Sequence, residues 1–307
     1  MTVGLDLTFA ICTRNRASYL RQCLASIYGQ GPSSLGFLVL VVNNGSVDDT
    51  KTLVEEYATL ENFNAIQEDQ IGLSHARNTA LANTTTRWLA FVDDDAILPS
   101  NYLEILTGIL AKTSHACLGG PVKPIYAPGA PNWTKRYFTR KSDFGNVEKQ
   151  LLDECIAGAN MVLDCHVMQK IGSFNTNLGM IGEKIRYGED DYIQHELRRQ
   201  GYTIGYYPHL EIGHHVLPSR EKVSWHLKAA YQHGWASQAL ASQTTISSIG
   251  ISMLRTTISG LVKHLPENIW RNFTNEQYYW QNTIVNTCRP FLYNLGRFVC
   301  YLSHKTP

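Results

Sequence analysis

The chain lacks a C-x-x-C pair, a long apolar run, a surplus of charge and a glycine-rich phosphate loop, and each absence removes a class of function. Its seven cysteines, Cys12, Cys23, Cys117, Cys155, Cys165, Cys288 and Cys300, are odd in number and widely scattered. That spacing suits neither a zinc cluster nor a disulfide framework, and reads as small buried side chains in a reducing, cytoplasmic setting. No uninterrupted apolar stretch reaches the roughly 18 residues that a membrane-spanning helix needs. Met1 to Leu7 show neither a basic start nor an apolar export core, so secretion is not expected. With 27 basic against 26 acidic residues the net charge is +1, too balanced for a nucleic-acid partner. G-x-G-x-x-G and G-x-x-x-x-G-K are both missing, which removes dinucleotide and P-loop readings. Gly72-Leu73-Ser74-His75-Ala76 lacks the closing glycine of a nucleophile elbow. His195-Glu196 is followed by Arg199 where a zinc-protease helix needs histidine.

What is present can bury a core: 44% of the 307 residues are hydrophobic and 17% charged, a balance that can offset the entropy of ordering. Short β-rich runs alternate with helical spacing, the pattern of an α/β fold with a mostly parallel sheet flanked by helices. Leu7 to Cys12, Phe37 to Val42, Phe63 to Glu68 and Trp88 to Val92 read as strands. Between them Leu20, Leu24 and Ile27 recur at helical spacing, a second helix starts near Asp48, and Ser74 is placed to cap a third through Leu81. Pro99 opens a fourth. Residues 121–150 turn to Pro, Gly, Trp, Lys and Arg with no period, as in a long mobile loop or lid. Structure resumes with a strand over 156–163, helices from Asp164 to Gly172 and from Glu189 to Gln200, and a strand from Thr203 to Tyr207. One domain is expected over 1–218, in halves 1–115 and 116–218. A helical extension follows over 219–307, with Ile246, Ile249, Met253, Ile258 and Leu261 on one face.

Four clusters can carry chemistry. Asp93-Asp94-Asp95 ends a strand, where like charges repel unless water, hydrogen bonds or a cation neutralises them. Side chains 93 and 95 can face one way and offer hard oxygens to a divalent ion, although an acidic triplet also makes an ordinary solvated turn. Gly188-Glu189-Asp190-Asp191 opens a helix, whose N-terminus favours ionised carboxylates; these can act as proton acceptors or as plain caps. His214 and His215 follow a strand, as a metal site or as unremarkable surface. Arg14, Asn15, Arg16, Asn43, Asn44, Arg77 and Asn78 lie at strand ends or a helix start, where they can cap turns or bind a ligand.

In chain order these pieces resemble family 2 glycosyltransferases, inverting nucleotide-sugar enzymes with the GT-A fold. Cys12-Thr13-Arg14-Asn15-Arg16 resembles the family's opening segment, Asn43-Asn44-Gly45-Ser46 its nucleotide-contacting turn, and Gly72 with Ala76-Arg77-Asn78 its Gly-x-x-x-Ala-Arg-Asn segment. Asp93-Asp94-Asp95 falls at its D-x-D metal motif, Gly158-Ala159-Asn160 at its acceptor-side strand, Glu189-Asp190 at its E-D pair, and His214 at its metal-binding histidine. The resemblance implies a Rossmann-like donor half over 1–115 and an acceptor half over 116–218. It implies that Thr13, Arg14, Asn15, Arg16, Asn43, Asn44, Ser46, Arg77, Asp93 and Asp94 bind a nucleotide diphosphate sugar, a UDP-sugar being favoured. Asp95 and His214, with Asp93 indirectly, would hold Mn²⁺ or Mg²⁺. Asp190 would be the base, with Asp191 in reserve and Glu189 beside them. Trp133, Gly158, Ala159 and Asn160 would face a saccharide or lipid-linked saccharide acceptor, in polysaccharide or glycoconjugate biosynthesis. Asn43 stands where the family usually has Asp, so only an amide oxygen is offered to the nucleobase.

The absence of a Gln-x-x-Arg-Trp segment favours single addition over processive synthesis. The rival readings are a sugar nucleotidyltransferase and a catalytically silent carbohydrate-binding or assembly protein of the same fold. The C-terminal extension, with Phe291, Leu292, Tyr293, Phe298, Val299 and Tyr301, could rest peripherally on the inner membrane face or pack against protein.

Overall fold

The computed structural model describes residues 5–31, 35–241 and 245–303; residues 1–4, weighed above for export, lie outside them. The chain divides into two compact units. One comprises Met1–Ile125, Arg140–Gly182 and Glu189–His215, the other Tyr126–Thr139, Glu183–Gly188 and Val216–Pro307. The second unit thus takes up the chain from Val216, and it also takes in two earlier segments, the first of them inside the Pro-, Gly- and Trp-containing stretch 121–150.

In the first unit, β1 (Leu5–Thr13), α1 (Ala17–Tyr28), β2 (Gly36–Asn43), α2 (Thr50–Tyr57), β3 (Phe63–Gln67), α3 (Leu73–Ala82) and β4 (Trp88–Val92) build a parallel run in the order β3-β2-β1-β4. Next come β5 (Ala96–Ile97), α4 (Tyr102–Leu110), β6 (Cys117–Gly119), β7 (Val122–Ile125), β8 (Lys149–Leu151) and β9 (Asn160–Asp164). α5 (Cys165–Ile171), α6 (Glu189–Arg199), β10 (Ile204–Tyr206) and β11 (Ile212–His215) complete the unit. The sheet continues past β4 as β9-β6-β10-β8, with β9 antiparallel to both its neighbours. The expected halves 1–115 and 116–218 therefore share one eight-stranded sheet. β5, β11 and β7 form a second, small sheet.

Side chains alternate across the sheet. Phe9, Ile11, Val39 and Val41 face Leu20, Leu24 and Ile27 of α1, while Ala10, Leu40, Val42 and Phe91 face Ala76 and Ala80 of α3. Both faces are covered, and each such aliphatic side chain contributes about 1.5–3 kcal/mol on burial. Cys23, Cys117, Cys165 and Cys300 are buried among apolar groups; Cys12, Cys155 and Cys288 are half-buried.

Several local expectations are corrected. Ser74 does not cap α3: Gly72 precedes the helix and Ser74 Oγ donates to the Leu178 carbonyl, 2.7 Å away. Residues 156–159 are not strand, because their N–H groups are taken by side chains. Ile156 N–H donates to Gln194 Oε1, Ala157 N–H to Ser142 Oγ and Gly158 N–H to Asp190 Oδ2. Residues 121–150 are not one loop: β7 and β8 lie within them, each too short to show a period. Asp164 does cap α5, accepting from the N–H groups of His166 and Val167.

The second unit holds α7 (Val223–Ala239), α8 (Ile246–Ser259), α9 (Leu265–Thr274) and α10 (Trp280–Ser303). Trp133 belongs to its interior. The indole packs edge-on against His226 and Tyr137, and its carbonyl accepts from Asn282 Nδ2 at 2.9 Å. Trp133, expected to face an acceptor, is here a packing residue, and burial among rings holds the His226 pKa down at about 4.

Candidate active site

The β4–β9 pairing creates the site. Because the strands are antiparallel, Val92 at the end of β4 lies opposite Asn160 at the start of β9, which brings Asp93 and the 158–159 turn to one place. The β5–β11 pairing adds the imidazole: His214 lies opposite Ala96, and His215 N–H donates to the Asp95 carbonyl at 2.9 Å. Two short ladders thus gather residues 93, 95, 158 and 214.

Asp93, Asp95 and His214 each offer a ligand atom within 4.8 Å of the others. His214 Nε2 lies 3.0 Å from Asp95 Oδ1 and 3.3 Å from Asp93 Oδ2. Burial opposes charge on all three. The charges and contacts of Asp95 and Asp93 nevertheless push the His214 pKa up to about 9, and His214, with the arginines, holds both aspartates below the ordinary carboxylate range. Asp95 Oδ1 is buried and meets Nε2 without a well-formed hydrogen bond. A buried carboxylate oxygen lacking its partner, beside a second carboxylate and an imidazole, fits Mn²⁺ or Mg²⁺; the ion would displace the imidazole proton.

Asp94 points elsewhere. It accepts from Thr13 Oγ1 and from Arg16 Nη1, both at 2.8 Å, and burial raises its pKa to about 6 against the pull of Arg16. Thr13 and Asp94, expected at the donor, tie the end of β1 to the residues after β4. Arg16 also reaches Asp95 at 3.2 Å. Asn15, in the left-handed region at φ 53°, a conformation that asparagine tolerates, joins two loops: its N–H donates to Ser46 Oγ and its Oδ1 accepts from Val47 N–H. Arg14 Nη1 donates to the Asn44 carbonyl at 3.2 Å. Asn44 is buried, donating to the Glu68 and Gln70 carbonyls and accepting from Gly72 N–H, so it shapes the loop and presents nothing to a ligand. Asn43 Oδ1 accepts from Ser46 N–H.

Arg77 joins the two acidic clusters. Its guanidinium, 3% exposed, lies 2.8 Å from Glu189 and 3.7 Å from Asp93, over the rings of Phe91 and Phe174. Gly158 is required beside it, since a Cβ there would sit 2.5 Å from Arg77 Nη2. Glu189 is buried, and burial together with the Asp190 charge raises its pKa to about 7 despite Arg77. Asp191 is raised by the same causes to about 6, with Cys155 beside it drawing it back down. Asp190 is only half-buried; its Oδ2 accepts from Gly158 N–H at 2.8 Å. Ala159 is buried, and Asn160 is wholly so, accepting from Tyr102 Oη and donating to the Leu210 carbonyl. Gln194 was missed by sequence reading: it donates to the Ile156 and Asp190 carbonyls and holds the start of α6 to the 156–158 turn. Its place one helical turn after Asp190 was the available signal.

Replacing Arg77 by Met leaves Glu189 buried without its cation, at an expected cost of about 3–5 kcal/mol. Combining Arg77→Met with Glu189→Gln is expected to recover at least half of that in urea unfolding. Strictly additive losses would show that the two do not act as a pair.

Solved structures share this architecture, which is of the GT-A type. A mannosyltransferase of Pyrobaculum calidifontis, in complex with GDP-Man and Mn²⁺, superposes with a TM-score of 0.61 at 18% identity, over 99% of this chain and 90% of that one. S. aureus TarS 1-349 in complex with UDP-GlcNAc gives 0.56 at 16% identity, over 97% and 89%. The family model described as Glycosyl transferase family 2 matches residues 8–172, and the chain belongs to that family. Among curated relatives, the succinoglycan biosynthesis protein ExoM of Rhizobium meliloti is 27% identical over 237 residues, 75% of this chain and 73% of that protein. The glycosyltransferase AglE of Haloferax volcanii is 29% identical over 168 residues, 53% of this chain and about half of that protein, at 54%. The glycosyltransferase GlyA of Streptococcus pneumoniae is 34% identical over 107 residues, 34% of this chain, a match that spans 15% of its own length.

Proposed function

We propose that this chain transfers a glycosyl group from a nucleoside diphosphate sugar to an acceptor hydroxyl, with inversion at the anomeric carbon. One juxtaposition carries the reading: Arg77 reaches Asp93 of the carboxylate–imidazole cluster with one nitrogen and Glu189, the neighbour of Asp190, with another. A cation site and a base thus flank one buried guanidinium.

As the bond to the departing diphosphate breaks, negative charge grows on its oxygens. A divalent ion held by Asp95 and His214, with Asp93 beside them, would supply Lewis-acid neutralisation of that charge. Arg16 stays cationic beside Asp94 and Asp95 despite its burial, and adds positive potential there. On the opposite face of the sugar, Asp190 takes the acceptor proton from the position that Gly158 N–H gives its carboxylate. Carboxylates are weak bases towards alcohols, so proton transfer accompanies C–O bond formation in a single in-line displacement. Glu189 and Gln194 position that helix start, and Asp191, turned to Cys155, is the reserve base. The donor favoured is a UDP-sugar, in keeping with the UDP-GlcNAc bound by TarS. The acceptor is a saccharide or lipid-linked saccharide, in keeping with the succinoglycan biosynthesis in which ExoM takes part.

A panel of UDP- and GDP-sugars, each with Mn²⁺ or Mg²⁺, tests this. Nucleoside diphosphate release is expected from one nucleotide class, dependent on the ion and rising with a saccharide acceptor. Pyrophosphate release from a nucleoside triphosphate would assign nucleotidyl transfer instead. Donor binding without release across all acceptors would assign a silent relative.

A further inference from the structure

The α8–α9 stretch is built inside out. Apart from the buried Ile249, its inward side chains are polar: Asn268, 4% exposed, donates to Thr287 and accepts from Tyr278 Oη, Ser252 donates to Asn294, and Asn272 donates to Thr283. Its outward surface carries large apolar ones. Leu254, Ile258, Leu261, Val262, Trp270 and Phe273 are between 54% and 84% exposed. A helix that faces water on one side and protein on the other shows the reverse.

The face differs from the one expected above. Ile249 is buried while Ile258 and Leu261 are exposed, because nine residues at about 100° each end half a turn away. A π-turn at Gly260–His264 separates the two helices, and its one inserted residue rotates α9 by about 100° relative to α8. That rotation brings Trp270 and Phe273 into line with Leu254, Ile258 and Leu261. The six then share an arc of about 100–120°, where an unbroken helix would spread them over about half the circumference. Along one edge of the stripe stand the exposed basic side chains Arg255, Lys263 and Arg271. Between Ile246 and Thr274 the only carboxylate is Glu267, 3.9 Å from His264; Glu276 lies past the end of α9.

We propose that this face rests on an anionic lipid bilayer, with the apolar side chains at the acyl boundary and the three basic ones among the headgroups. The chemistry fits that occupant: a wide apolar stripe, an exposed tryptophan suited to the interface and a basic margin. Among the described residues no helix is long and apolar enough to cross the membrane, so contact is lateral. The proposal does not depend on the transferase reading, since it concerns the second unit alone.

Flotation of the full chain with phosphatidylcholine vesicles, with and without about one third phosphatidylglycerol, tests it. Binding is expected to be at least about tenfold stronger to the anionic vesicles and to weaken with salt. Trp270→Asp with Phe273→Asp, and separately Arg255→Glu with Lys263→Glu and Arg271→Glu, should each abolish it, with circular dichroism and melting unchanged because these side chains are exposed. Failure of the full chain to float, or flotation that survives both variants, overturns the proposal. So does a concentration-dependent dimer in light scattering that Phe273→Asp dissolves while vesicles are ignored, which would assign the face to a second copy.

Discussion

Asp190→Asn is expected to lower sugar transfer by at least about 1,000-fold while donor binding stays within about threefold of wild type. The amide keeps the volume and can still accept from Gly158 N–H through its oxygen, so the 156–158 turn and α6 remain in place. What is lost is the negative charge, and with it the basicity that takes a proton. Transfer assays beside donor titration by calorimetry separate the two effects. Asp191→Asn serves as the comparison, since it is Asp190 and not Asp191 that the Gly158 N–H holds; its turnover is expected to fall by less than about tenfold. Wild-type-like turnover in Asp190→Asn would remove Asp190 from the chemistry. A deep loss in Asp191→Asn alone would transfer the role to its neighbour.

The second large effect belongs to the cation cluster. Chelation is expected to abolish transfer, and Mn²⁺ or Mg²⁺ to restore it. Asp95→Asn keeps shape and burial but removes the charge of a side chain whose buried Oδ1 faces His214 without a well-formed hydrogen bond. Substituting outer partners of a metal ligand typically costs 10–100-fold in affinity or activity, so a direct ligand is expected to reach at least about 100-fold. The half-saturating Mn²⁺ concentration for activity, compared between wild type and variant, measures it. Full activity in chelator would dismiss the ion from the reaction. Full activity of Asp95→Asn at unchanged Mn²⁺ would move the ion away from Asp95.

Sequence alone disclosed the cluster members better than their partners. The alternation of strand and helix up to Val92 was readable because Phe9, Ile11, Val39 and Val41 follow a period of two and α1 a period of 3.6. The Asp93 and Asp95 pair was readable because hard oxygens recur at strand spacing. What stayed hidden is long-range. The Arg77–Glu189 pair spans 112 residues, and the Thr13–Asp94 hydrogen bond 81. No local period records either. Asn44 and Trp133 show the converse: residue types common at ligand sites also serve as internal hydrogen-bond and packing groups. Segments 126–139 and 183–188 were unreadable as parts of the second unit for a related reason: a shift in composition marks 121–150 as different, but which unit a segment joins follows from packing.

Those two segments make the C-terminal helices an awkward piece to excise. A stop codon at 216 would remove Asn282 from the Trp133 carbonyl, and His226 and His233 from the rings of Trp133 and Tyr187, stranding aromatic surface in the remnant. Engineering that exchanges this unit between relatives therefore has to graft three stretches of chain at once. A hybrid joined at a single seam would inherit mismatched halves of one core.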